Sequence, residues 1–256
     1  MTEHVLVELE AGVLTLRLDR PDKKNALTPA MYTALAAALV DADADPRVRV
    51  VVLTGGPDCF TSGNDIADFL HTPPADQSNP VFTFMWALFD FRKPVVAAVA
   101  GPAVGIGTTL LLHCDLVYVA RDAVLRMPFV NLGLCPEYGS SLLVPRLVGQ
   151  ARAARLLLLS EAFSGSQAAE WGIASEAVEG GSATIERATE AARALAALAP
   201  GAVVDSKRLM RAPGREELRR VIVDEGDLFA QRLRSPEAVE AFSAFVERRV
   251  ADFSSF

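Results

Sequence analysis

The most apolar stretch of the sequence, residues 95–120, is broken by Gly101, Pro102, Gly105, Gly107 and Asp115. A membrane-spanning helix needs roughly 20 unbroken apolar residues, so this run folds into water-soluble elements instead. Val95 to Val99 is a short β-rich run ended by Gly101-Pro102 and reads as a buried strand. Gly105-Ile106-Gly107 leads into an apolar helix over residues 108–112, and residues 116–119 and 124–127 are further short strands. Strands that alternate with helices predict an α/β core.

The rest of the first half agrees. Residues 5–9 and 13–18 alternate apolar and polar positions around Ala11-Gly12, which predicts a β-hairpin. Thr28-Pro29 opens a helix, with Thr28 as N-cap and Met31, Leu35, Ala38 and Leu39 as its apolar stripe. Residues 48–53 run apolar into Thr54-Gly55-Gly56 and read as a buried strand. A weak strand-strand-helix recurrence is visible here. Residues 72–80, rich in proline and polar residues, read as a flexible loop. Beyond Leu142 the pattern turns helical: residues 151–159, 166–171, 183–199, 201–210, 215–233 and 236–250, with a strand only at 174–178.

The formal charge of −7 is spread along the chain, and no basic block marks a nucleic-acid surface. Arg20, Lys23 and Lys24 form one local positive cluster, of the kind an anionic phosphate needs. The three cysteines, Cys59, Cys114 and Cys135, have neither metal-ligand nor disulfide spacing and read as thiols in a reducing compartment. The first residues lack the charged-then-apolar pattern of a secretory signal, so a cytoplasmic protein without membrane association is expected.

Two turns can carry chemistry. Phe60-Thr61-Ser62-Gly63-Asn64-Asp65-Ile66 and Gly101-Pro102-Ala103-Val104-Gly105-Ile106-Gly107 each run from a strand towards a helix. Such turns can leave backbone N–H groups free to point at a ligand, and two convergent N–H groups make an oxyanion hole. Taken singly, each is more often plain turn geometry. Neither fits the dinucleotide fingerprint or the phosphate loop. The segment 127–141 adds a lone carboxylate, Glu137, in a loop of small and apolar residues. Taken alone, Pro136-Glu137 before Gly139-Ser140-Ser141 is what the start of a helix looks like.

Together and in order, these motifs resemble the enoyl-CoA hydratase/isomerase (crotonase) superfamily. Arg20-Pro21-Asp22-Lys23-Lys24-Asn25-Ala26-Leu27 resembles its acyl-CoA-binding turn, Phe60 to Ile66 its first oxyanion segment, and Gly101 to Asp115 its second. Leu132 to Leu147 resembles the segment lining the acyl pocket, and Ser235-Pro236-Glu237-Ala238 with Ala244-Phe245-Val246-Glu247-Arg248-Arg249 the C-terminal ending. The resemblance implies a crotonase-like α/β spiral of ββα units over residues 1–199, a helical trimerisation region over 200–256, and a homotrimer or dimer of trimers.

Hydratases of the superfamily carry two glutamates where this chain has Thr109 and Phe129. In three places the chain instead resembles Δ3,Δ2-enoyl-CoA isomerases of the peroxisomal type: Ser62-Gly63-Asn64-Asp65, Pro128-Phe129 with Leu132-Gly133, and Pro136-Glu137 with Gly139-Ser140-Ser141. That resemblance makes Glu137 the catalytic acid/base and gives the oxyanion hole to the N–H groups of Asn64 and Ile106. It places acyl-CoA against Lys24, Ala26, Ser62, Gly63, Asp65, Ile66, Gly105 and Phe129. It implies no metal or redox cofactor, coenzyme A being part of the substrate. The expected role is in fatty-acid β-oxidation. The alternatives are isomerisation of aromatic-pathway ring CoA esters, hydration, or acyl-CoA binding without turnover.

Other residues have plainer expectations. Asp65 is expected to cap a helix starting at Ile66. Asn131 fits a ligand contact and a turn equally. Tyr138 and His113 are expected to pack in the interior, and Phe82, Phe84, Trp86 and Phe89 in the core or along the acyl pocket. Arg219, Arg220, Arg232 and Arg234 read as a solvated or interface set.

Overall fold

The computed structural model describes residues 4–66 and 79–256. The predicted hairpin forms from β1 (Val5–Glu10) and β2 (Val13–Leu18), closed by Ala11 and Gly12, both with positive φ. Two consecutive left-handed residues match the twist of paired strands. Helix α1 (Pro29–Ala44) starts where expected, and the Thr28 hydroxyl accepts from Met31 N at 3.3 Å. Its buried stripe, Met31, Tyr32, Leu35 and Leu39, faces the core.

β3 (Val50–Thr54) lies parallel to β2 and is buried along its whole length. Then come α2 (Pro80–Asp90), capped by the Asn79 side chain, and β4 (Val95–Val99). From β4 the chain crosses to a second sheet at β5 (Ala103–Val104) and turns into the short helix α3 (Ile106–Thr109), extended by a 3-10 turn, Leu110–His113. The move repeats: β6 (Leu116–Ala120) joins the large sheet, β7 (Val124–Arg126) the small one, and a 3-10 turn, Val130–Leu132, follows. This is the recurrent strand-strand-helix unit, wound as a spiral.

After it come α4 (Ser140–Val148), α5 (Gln150–Leu158), β8 (Phe163–Ser164), α6 (Gly165–Glu170) and β9 (Glu176–Val178). The C-terminal part is α7 (Gly181–Ala197), α8 (Pro200–Arg211), α9 (Arg215–Arg232) and α10 (Pro236–Glu247). The large sheet has the order β1-β2-β3-β4-β6-β9, parallel except for the hairpin, and the small one β5-β7-β8. Helix α7 covers one face of the large sheet with Ala188, Ala191 and Ala192 against Val50, Val52, Val96 and Ala98. The main core lies on the other face. Small residues on α7 and β-branched residues on the strands let helix and sheet approach closely.

Several boundaries differ from expectation. The helix expected at 108–112 begins at Ile106 and tightens to 3-10 geometry at Leu110. The one expected at 236–250 stops at Glu247, because Arg248 turns left-handed with φ 56°. The helix start that Pro136-Glu137 suggests when taken alone is realised three residues later: α4 begins at Ser140, with Glu137 in the loop before it, and carries Pro145 in its interior. The loop expected at 72–80 falls mostly on 72–78, outside the described residues. Among the described residues, no helix is long and apolar enough to cross a membrane.

Candidate active site

The two turns of interest leave the same edge of the spiral. In the first, Leu27 N donates to Gly63 O at 2.8 Å and Asp65 N to Leu27 O at 3.0 Å, which makes a parallel bridge between Leu27 and Asn64. In such a bridge the N–H of the central residue faces away from its neighbour. Asn64 N therefore points to the other side, and no described group accepts from it. The Asn64 side chain is held by Tyr32, whose hydroxyl donates to Oδ1 at 2.5 Å.

In the second turn, Gly105 has φ 58° and ψ −123°, a conformation an L side chain rarely takes. Its carbonyl accepts from Thr108 N and Thr109 N at 2.8 and 3.0 Å, while Ile106 N, at the head of α3, finds no described acceptor. The two turns touch: a Cβ on Gly63 would sit 2.7 Å from Val104 O, and one on Gly107 2.5 Å from Thr61 Cγ2. Glycine at 63 and 107 is thus what lets the two N–H-bearing turns lie side by side.

Both turns open on a cavity of about 900 Å³, and Glu137 lies on its wall. Glu137 is 8% exposed, and its Oε1 accepts from the Thr109 hydroxyl. Burial pushes its carboxyl up to about 8; the Thr109 hydroxyl pulls it down and the charge of Glu225 pushes it further up. Among the described residues, Asp65 is the other acid lining the cavity, and it is paired with Arg20 at 2.6 Å.

The loop carrying Glu137 is stiff. Tyr138 (φ 56°) and Gly139 (φ 76°) are both left-handed. The buried Tyr138 donates from its hydroxyl to Met85 O at 2.6 Å. His113 stacks on the Tyr138 ring, centroids 3.7 Å apart and planes 16° apart, and donates from Nε2 to Tyr138 O at 2.8 Å. Burial pushes the His113 imidazole down to about 3, so it stays neutral and serves as a packing group and donor, as expected for an interior histidine. Glu225, from α9, accepts from Gly139 N at 2.5 Å and Ser141 N at 2.9 Å.

The structure brings Asn64, Ile106 and Glu137 to one cavity, along with Ala26, Ser62, Gly63, Asp65, Ile66, Gly105, Phe129 and Asn131. Lys24 does not line it; its neighbour Lys23 does. Lys24 is left-handed (φ 50°), and its carbonyl accepts from Ser62 N at 2.9 Å, so it ties the turn to the first oxyanion segment. Arg20, the third member of the basic cluster, is committed to Asp65 and to Ala26 O. The cap expected of Asp65 bears on residues beyond Ile66, which lie outside the described residues. Phe129 packs edge-on to Phe229 at 6.3 Å, and Phe82 lines the cavity from α2. Arg219 pairs with Asp90 at 2.5 Å and lies over the rings of Trp86 and Phe89, and Arg232 donates to Gly133 O at 2.9 Å.

Sequence reasoning missed four contributors. Thr109 was weighed only as a missing acid, yet it is the hydrogen-bond partner of Glu137. Buried Asn25 joins the basic turn to the first oxyanion segment through Phe60 O at 3.0 Å. The signal available in the sequence was asparagine within Lys24-Asn25-Ala26, a residue type that tolerates the left-handed backbone found there, φ 54°. Tyr32 and Glu225 sit in ordinary helical patterns and gave none. Among the described residues, no group of three or more His, Cys, Asp or Glu could hold a metal ion.

The chain resembles known proteins over nearly its whole length. Residues 8–255 match the family model described as enoyl-CoA hydratase/isomerase. The chain is 34% identical over 254 residues to human enoyl-CoA delta isomerase 2, covering 96% of this chain and 64% of the relative; it thus spans just under two thirds of that protein. It is 34% identical to 1,2-epoxyphenylacetyl-CoA isomerase of Escherichia coli K12, covering 99% of each. Among solved structures it superposes on Pseudomonas aeruginosa OdaA with a TM-score of 0.95 and 64% identity, over 96% of this chain and all of the other.

Proposed function

This chain belongs to the enoyl-CoA hydratase/isomerase family, whose enzymes act on acyl-CoA thioesters, and on that premise we propose that it shifts the double bond of a 3-enoyl-CoA to the 2-position. The observation that carries the proposal is the single carboxylate. Thr109, not a second acid, meets Glu137, and the other acidic lining residue is tied to Arg20. Adding water across a double bond calls for groups that hold and activate that water. Moving a double bond calls only for one group that takes a proton and returns it two carbons away.

The thioester carbonyl docks between the N–H groups of Asn64 and Ile106. Glu137, as carboxylate, removes a proton from carbon 2; the electron pair moves to the thioester oxygen, and the dienolate charge rests on the two N–H donors. Glu137 then returns the proton to carbon 4, the double bond forms between carbons 2 and 3, and the base is regenerated. A buried carboxylate with its proton affinity raised towards neutrality is matched to both steps. Each oxyanion donor contributes on the order of 3 kcal/mol to the transition state. Lys23, Ala26, Ser62 and Ile66 line the approach for the coenzyme A part.

A Glu137→Gln variant keeps the shape of the loop and loses the base. It is expected to bind acyl-CoA while turnover on 3-enoyl-CoA falls by roughly 10²–10⁴; undiminished turnover ends the proposal. A second reading, isomerisation of a ring-bearing CoA ester, draws on the aromatic wall of Phe82, Phe129, Phe229 and Phe242 and on the likeness to the E. coli isomerase. Turnover on a panel of 3-enoyl and ring thioesters, read by proton exchange at carbon 2, separates the two.

A further inference from the structure

One buried carboxylate has no part in the steps above. Glu225 is 8% exposed, and among the described residues no cation pairs with it. Its two oxygens instead accept from the backbone of the base loop, Oε2 from Gly139 N at 2.5 Å and Oε1 from Ser141 N at 2.9 Å. Helix α4 starts at Ser140, and its N-cap, Gly139, has no side chain to accept from the first N–H groups. Those groups need a partner when buried, and α9 supplies it from 84 residues further along the chain.

A buried carboxylate capping a helix is ordinarily a matter of stability alone. Here the cap grips the residues two and four positions after Glu137 and sets a like charge beside it. We propose that Glu225 is a positioning residue for Glu137, holding the base loop by its backbone and keeping a negative charge next to the base. The proposal rests on the reading of Glu137 as the base.

Burial, the largest influence, pushes the Glu225 carboxyl up, while the donors on Ser141 and the Gly139 N–H pull against it, and donors of that kind bind the charged form best. The groups facing Glu137 are Thr109, Tyr32, Tyr138, Cys135 and Glu225. Cys135 also faces Glu225, and the nearby Arg232 is committed to Glu237 at 2.9 Å and to Gly133 O. When Glu225 is ionised, its charge resists ionisation of Glu137.

Two substitutions test this, each followed by kcat, KM, the pH dependence of kcat/KM and a thermal melt. Glu225→Gln keeps one acceptor and removes the charge. It is expected to move the rise of kcat/KM to lower pH and to lower kcat several-fold with little change in KM. Glu225→Ala frees the loop as well and is expected to lower kcat roughly ten- to a hundredfold. A cap that serves stability alone would lower the melting temperature and leave the pH profile in place, so folded variants with wild-type kcat and pH profile overturn the proposal. If neither variant folds, carbon-13 NMR of the glutamate carboxyls in the intact Glu137→Gln protein decides. Glu225 is expected to titrate at lower pH there than in the wild type, and an unchanged titration overturns the proposal. Retained turnover in Glu137→Gln would instead sink the reading of the base, so the two failures are distinguishable.

Discussion

At the scale of single residues, the pair Thr109 and Glu137 matters most. A carboxyl that burial pushes up to about 8 is mostly protonated in neutral solution, and among the described residues the neutral group that donates to it is the Thr109 hydroxyl. Because a base must be ionised to act, kcat/KM of the free enzyme is expected to rise with pH up to about 8. Thr109→Val keeps the shape and removes the donor, which pulls the carboxyl down. The rise should then move to higher pH, measured as kcat/KM across a pH series; a rise at or below the wild-type position contradicts this account. The sequence showed Thr109 only as a residue that cannot ionise. That it also tunes the residue that can depends on a contact spanning 28 positions, which no local pattern records.

At the scale of elements, legibility followed periodicity and length. The hairpin, α1, β4 and the C-terminal helices were readable because each repeats its pattern long enough to show a period. Strands β5 and β8 have two residues each, too few for any alternation, and exist through pairing with β7. Helix α4 hid behind its interior Pro145 and a glycine cap. The two turns at Gly63 and Gly105 were legible as turns, since glycine announces them. Which N–H groups they leave open depends on the bridge between Leu27 and Asn64, a pairing across 37 positions. Helix α9 shows one more conflict between local and global demands. Gly226 lies in its interior, where glycine costs about 1 kcal/mol relative to alanine. A Cβ there would stand 2.9 Å from Phe82 Cε1, and both residues line the cavity. Gly226→Ala is expected to push the Phe82 ring into the acyl chamber and to raise KM for bulky acyl groups more than for short ones. A KM profile across acyl sizes identical to the wild type would show that the ring moves elsewhere.

For the whole molecule, the buried titratable groups shape how stability depends on pH. The folded state holds a proton on Glu137 up to about pH 8, while the unfolded chain releases it near 4.5. Between these values the folded state binds more protons, so stability falls as pH rises. His113 works in the opposite sense: folded, it stays neutral down to about 3, while the unfolded chain takes up a proton near 6.5, so stability falls as pH drops through that range. From 4.5 to 6.5 the two slopes cancel. Above 6.5 Glu137 removes about 1.4 kcal/mol per pH unit until about 8, and Glu225, whose carboxyl burial also pushes up, acts in the same direction. Below 4.5 His113 acts, joined by Asp45 and Glu240, whose carboxyls Arg47 and Arg249 hold down to about 2. Denaturant melts across pH should show a plateau near pH 4.5–6.5, and Glu137→Gln should flatten the alkaline decline. A decline of equal slope in that variant would assign it to other groups.

The run from Ile106 to His113 carries the open Ile106 N–H at its head, the hydroxyl partner of Glu137 at its middle and the imidazole stacked on Tyr138 at its end. The acyl chamber, by contrast, takes Gly226, Phe229, Phe242 and Phe245 from α9 and α10. Inheritance can therefore act on the two halves separately. Mutations at these four cavity-lining positions can retailor the accepted thioester without touching Glu225 or the loop it holds, and a change at Thr109 or in the Glu137 loop can alter the chemistry for a ligand already in place.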